Sequence, residues 1–163
     1  MAIAYFLKLD GIDGEAQNDK HKGEIDLMSF SWGAANQHRT VGSGMSAGKV
    51  AFHEFTVSKV VDKSSAKLLT ACCSGQHIKT GLLSCAKSIG DTAGTGDYLT
   101  IKFKEIHVSS FQTGGSQGDA VGSESVSFAF AEMEYDYKIQ KEDGTLTAAG
   151  TIGWNQLTNK KTA

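Results

Sequence analysis

The stretch Ile25-Asp-Leu-Met-Ser-Phe-Ser-Trp-Gly33 carries large apolar side chains in both phases of a strand. Side chains on a strand alternate between two faces. Met28, Phe30 and Trp32 therefore share one face, which reads as core. Ile25, Leu27, Ser29 and Ser31 share the other, and that face is small and only half polar. A solvated face of an antiparallel sheet ordinarily carries Lys, Glu or Thr. The pattern alone leaves open what this second face looks at.

The surrounding chain repeats the ambiguity. Val126, Phe128 and Phe130 lie in one phase, while Met133, Tyr135 and Tyr137 lie in the other. Val50 and Phe52 give way to Phe55 and Val57, and Leu99, Ile101 and Phe103 give way to Ile106 and Val108. Each switch is a one-residue slip that moves the apolar set across the sheet. Slips of this kind mark bulges where strands turn corners. Alternatively, both faces of one strand are buried along different stretches; either way the pattern predicts a closed or folded-over mainly-β domain with one helix packed on it.

The strands read as residues 3–10, 24–33, 50–61, 78–89, 98–110 and 125–140, with a return over 145–154 after the hairpin signal Glu142-Asp-Gly144. Residues 11–23 are turn-rich and polar, 90–96 join two strands, and 113–123 are a Gly/Ser connection. Residues 62–75 form the helix. Asp62 or Ser64 can cap its start, Gly75 suits a left-handed end, and Leu68, Leu69, Cys72 and Cys73 make its apolar stripe. Residues 36–49 contain TVGSGMSAGK and show no periodicity, which predicts a loop.

At 163 residues the chain suits one domain with a real core. A formal net charge of −2, with Arg39 as the one arginine among sixteen basic residues, gives no electrostatic footprint for nucleic acid or anionic membrane. Cys72, Cys73 and Cys85 are odd in number and two are adjacent, so free thiols and a reducing compartment are expected. No secretory leader and no span of membrane length are read, and nineteen glycines with no proline hint that sheet edges are covered or used.

Little in the sequence carries catalytic chemistry. His21, His38, His53, His77 and His107 have no ligand spacing, and Cys72 and Cys73 lie about a hundred degrees apart around a helix. A Cys85–His107 nucleophile pair has no local support. TVGSGMSAGK lacks the GxxxxGK[ST] phosphate-loop pattern, because Lys49 is followed by Val50 and a strand. Glu132, Glu134 and Asp136 read as a solvated strand face. No catalytic residue, metal or cofactor is expected, and the aromatic residues are most simply core.

Taken in order, YFLKLDGIDGE with DKHKGEID, SFSWGA, GKV after a glycine loop, VDKSSAKLLTACCSGQHI, HVSSFQTGGSQG, SVSFAFAEMEYDY and a closing GWN resemble the Hcp family. These are the tube proteins of bacterial type VI secretion systems. The resemblance implies a single domain over residues 1–163, an antiparallel β-barrel of two folded-over sheets with one flanking helix and an extended loop, and a homo-hexameric ring that stacks into a tube inside a contractile sheath, behind a VgrG spike. It implies small effector proteins in the lumen, a cytoplasmic location before firing and secretion without a cleavable signal peptide afterwards. No nucleic-acid partner, membrane insertion or C-terminal toxin domain is expected. On this reading Leu27, Ser29 and Ser31 face the lumen. Val41, Gly42, Ser43, Gly44, Met45, Ser46 and Ala47 form the stacking loop, with Val41 and Met45 as apolar anchors. A monomeric ligand-binding barrel is the alternative.

Overall fold

A computed structural model describes residues 3–42, 44–88 and 95–163. Eleven strands and one helix follow in chain order among them: β1 (Ile3–Leu9), β2 (Ile25–Leu27), β3 (Ser29–Ser31), β4 (Ala34–Val41), β5 (Gly44–Phe52), β6 (Phe55–Val60), α1 (Ser65–Ser74), β7 (His77–Ser88), β8 (Thr95–Gly114), β9 (Ser123–Gln140), β10 (Leu146–Asn155) and β11 (Lys160–Lys161). The fold is mainly β and every pairing between these strands is antiparallel.

Residues 25–31 explain how the sheet folds over. β2 pairs with β1, and β3, on the far side of Met28, pairs with β6. From β1 the ladder continues through β7 and β8 to β9, and β9 pairs in turn with β6. One short segment thus belongs to both ends of the sheet and completes the circuit of pairings. The Met28 amide donates to the Ser58 carbonyl at 2.7 Å, which carries the second half of the segment onto β6.

The crossing costs one step of strand phase. Ile25 and Leu27 face the core before the step, while Phe30 and Trp32 pack against it after the step. Two expectations change. Leu27 is 7% exposed and lies in the core, so it does not face a lumen, and Met28 is 52% exposed rather than core. The assumption of one unbroken strand produced both errors. Past Met28 the parity is as expected, with Ser29 and Ser31 exposed.

The other slips coincide with physical breaks. Residues 53 and 54 interrupt β5 and β6, and a non-glycine residue, Glu105, takes φ 57° between Phe103 and Ile106. Around these corners Phe55 stacks on Phe103, with centroids 4.6 Å apart, and also against Phe128. The space between Leu7, Phe55, Phe103 and Phe128 has no room for a water molecule. The interior is therefore a packed core.

The helix ends as its sequence suggests, but at its start Ser64 occupies the N-cap position without a side-chain capping bond. Asp62 accepts from the Ser64 amide at 2.9 Å, and Gly75 takes φ 68°, returning its amide to the Ala71 carbonyl. Its buried face is Leu68 and Ala71; Leu69 is 46% exposed and Cys73 is also exposed, so the expected stripe is rotated.

The glycine-rich stretch is the largest correction. It is not a loop: β4 and β5 form their own two-stranded ribbon, paired from Ala34–Phe52 to Val41–Gly44. Gly42 takes φ 62° at its tip. Interstrand hydrogen bonding overrides composition here. Ser43, and the expected 90–96 connection over residues 89–94, lie outside the described residues.

Candidate functional site

The outer face of β3, β6, β9 and β8 is built of hydroxyl and amide side chains. Ser29, Ser58, Ser125 and Gln112 are register partners across the four strands, and Ser31, Thr56, Ser127 and Ser110 form the adjoining row. Between them runs the row Phe30, Val57, Val126 and Phe111, whose side chains point inward. Clean alternation fixes the orientation of both sets. Thr56 and Ser127 hydrogen-bond to each other at 2.9 Å, so part of the surface satisfies itself. These two rows carry no ionisable side chain, and they present donors and acceptors without a field.

A second surface lies where the core-facing side of the sheet outruns its cover. Met133 is buried, but the residues two, four and six further along β9 become progressively uncovered: Tyr135 is half-buried, Tyr137 is 42% exposed and Ile139 52%. Ile152 of β10 stands opposite Tyr135 and is 45% exposed. An apolar strip thus continues out of the core into the open. Such a surface ordinarily has a partner.

The ribbon supplies a third surface. Val41 pairs with Gly44, Thr40 with Met45, Arg39 with Ser46 and His38 with Ala47. Gly42 sits at the turn, and Met45 is 72% exposed. Among the described residues neither ribbon strand pairs with the main sheet. An isolated two-stranded ribbon is marginal in water, so it too gains from a neighbour.

Residues 6–137 match the family described as type VI secretion system effector, Hcp. The chain belongs to the Hcp family. It is 37% identical over 157 residues to protein hcp1 of Pseudomonas aeruginosa, covering 95% of this chain and 96% of that one. A solved structure described as a type six secretion system protein matches with a TM-score of 0.91 and 33% identity, over 99% of this chain and 100% of the other. Hcp1 from Salmonella typhimurium matches with a TM-score of 0.80 and 32% identity, again over 99% and 100%. The Hcp family consists of secreted type VI structural proteins and is not an enzyme family. Among the described residues no helix is long and apolar enough to cross a membrane.

Beneath the ribbon-free end of this Hcp fold lies a buried ionic knot. Lys59, fully buried, donates to Glu124 Oε1 at 2.7 Å and to the Val60 carbonyl at 3.0 Å, and its ammonium lies 3.0 Å from Asp62. Ser65 donates to Glu124 as well. The knot ties β6, β9 and the start of α1 together. Partial burial, and secondarily the Asp62 carboxylate, raise the Asp26 carboxyl above its usual range.

The remaining sequence candidates stay apart. Cys85 is fully buried in the row of Leu99, whereas His107 pairs with His77 at the far end of the same two strands, so no nucleophile pair forms. Burial pushes the Cys85 thiol up to about 12, with Asp97 adding to the effect and a Tyr98 hydrogen bond opposing it. Glu132, Glu134 and Asp136 stand opposite Lys104, Lys102 and Thr100, and Lys104 reaches Glu132 at 3.8 Å. Sequence reasoning missed the Lys59 knot and also the bonding of His21 to Glu24 and Asp97. The spacing of His21 and Glu24 is visible in the sequence, but Asp97 lies 76 residues away.

Proposed function

We propose that this Hcp-family chain is the tube subunit of a type VI secretion system. Six copies close into a ring, and rings stack into a tube that a contractile sheath expels behind a VgrG spike. Small effector proteins travel in the lumen. The subunit is cytoplasmic before firing and reaches the outside or a target cell when the sheath contracts. The observation that carries this reading is the apolar strip Tyr137, Ile139 and Ile152, an uncovered extension of the core-facing sheet. A neighbouring copy would remove it from water, and a contact between unlike surfaces that closes makes a ring.

The hydroxyl rows support a lumen wall. Ser29 and Ser31 belong to them, together with Thr56, Ser58 and Ser125. Short uncharged side chains keep a channel wide and let passengers of either charge pass without tight binding. The ribbon, with Met45 exposed and Val41 at its tip, supports contact with the next ring. Each such contact is weak, and sixfold repetition makes the sum sufficient.

Electron microscopy of the purified chain tests the reading. Rings with an open centre are expected, whose wall is labelled from inside when Ser31 is replaced by cysteine. A field of separate single barrels would overturn it.

A further inference from the structure

The outer face of β1 and β7 carries a small apolar cluster of Phe6, Ala16 and Ala86, distinct from the main core. Residues 12–24 lie over it as a strap. The strap has little regular structure and folds on itself, with the Gly14 amide donating to the Gly23 carbonyl at 2.8 Å and the Ala16 amide to the Glu24 carbonyl at 3.0 Å. His21 anchors it onto the sheet: the ring is 5% exposed and stacks on Phe6 at 4.5 Å between centroids, 12° from parallel. Nδ1 lies 2.5 Å from Glu24 Oε2, and Nε2 lies 2.7 Å from Asp97 Oδ1 on β8.

Ionised carboxylates only accept hydrogen bonds, and a neutral imidazole has one N–H to give. Both bonds therefore coexist, with both carboxylates ionised, only when the ring carries two protons. We propose that His21 is a charge-dependent pin that holds the strap on the sheet. The strap stays closed while the ring is cationic and Glu24 and Asp97 are anionic, and it loosens when either side titrates. Loss of the ring proton leaves one carboxylate facing a bare nitrogen; acid removes the anions that the ring bridges. The groups involved are Glu24 on the strap, Asp97 on β8 and, beyond Asp97, the Cys85 thiol of β7 and the Tyr98 hydroxyl. Release uncovers Phe6 and Ala86, so the surface that the protein presents depends on pH.

The test uses the full assembled chain and does not depend on the ring reading. Nitrogen NMR of the His21 imidazole reports its proton count from pH 5 to 9. Amide exchange at positions 14, 16, 23 and 24, corrected for intrinsic rates and referenced to β8 and β9, reports closure of the strap. Protection should fall roughly tenfold or more as the ring loses its second proton. Asp97→Asn, which removes one anion that the ring bridges, should weaken strap protection, and His21→Gln should abolish its dependence on the ring while β8 and β9 remain protected. A ring that is neutral throughout while the strap stays closed would overturn the proposal. So would strap protection that does not change as the ring titrates, and both results are readable in the unmodified protein.

Discussion

Leu27 and Phe30 are packed into the same core although they are three residues apart on one extended segment. Strand alternation alone would put them on opposite faces. The exposed Met28 between them absorbs the phase change and lets β2 and β3 serve opposite ends of the sheet. Leu27→Ala should therefore destabilise the chain by about 2–5 kcal/mol, as a large-to-small core change. Met28→Ser should stay within about 0.5 kcal/mol. Chemical denaturation of the two variants checks the contrast, and equal costs would mean that the segment is one unbroken strand.

This segment also shows how far the sequence can be read. The slips at 52–55 and 103–106 were legible because large apolar residues flank both sides of each break. Serines flank Met28 only on one side, so hydrophobic pattern alone left the step invisible. The ribbon was hidden for another reason. Its outer part, residues 44–49, is exposed and rich in Gly, Ser and Ala, and its pairing rests on interstrand hydrogen bonds that composition does not encode. Ser29 and Ser31 could be placed on the outer face from parity. Their register partners Thr56, Ser58, Ser125 and Ser127 become visible only once the strands are paired.

Lys59 has no access to water and faces two buried carboxylates, Glu124 and Asp62. Lys59→Met should cost about 3–5 kcal/mol, because the anions are left without a cation in a dry site. Adding Glu124→Leu should recover part of that loss. Urea unfolding of the single and double variants measures the coupling. A mild single-variant effect would mean that water reaches the knot.

Asp26 gives a pH dependence with a definite sign. Its folded-state carboxyl is raised, by partial burial first and by Asp62 second, so the fold disfavours its anion. The contribution of Asp26 to stability is full at pH below the unfolded carboxyl range and is lost as pH rises through the raised folded value. Asp26→Asn should stabilise the protein at neutral pH and lose that advantage in acid. Thermal unfolding from pH 3 to 7 follows the difference. An advantage that grows toward low pH would contradict the assignment.

Gly48 fixes the ribbon. A Cβ placed there would lie 2.4 Å from the Gln37 carbonyl oxygen. Gly48→Val should break pairing in β4 and β5 while leaving the main sheet intact, because the ribbon does not pair with it. On the stacking reading, rings should persist and tubes should not grow. Light scattering of tube growth beside circular dichroism of the fold makes the comparison. Normal tube growth from a variant with a disrupted ribbon would move the stacking contact elsewhere.

On the ring reading, the exposed strip of β9 and β10 is covered by another copy of the chain. Native mass spectrometry at tens of micromolar tests it most directly, with Ile139→Asp measured beside the unmodified protein. A charge buried against an apolar partner is costly, so the variant should remain folded as the 17.3 kDa chain and fail to assemble. The unmodified protein should appear at six times that mass. A monomer at every concentration in the unmodified protein would contradict the account, as would a hexamer unaffected by Ile139→Asp.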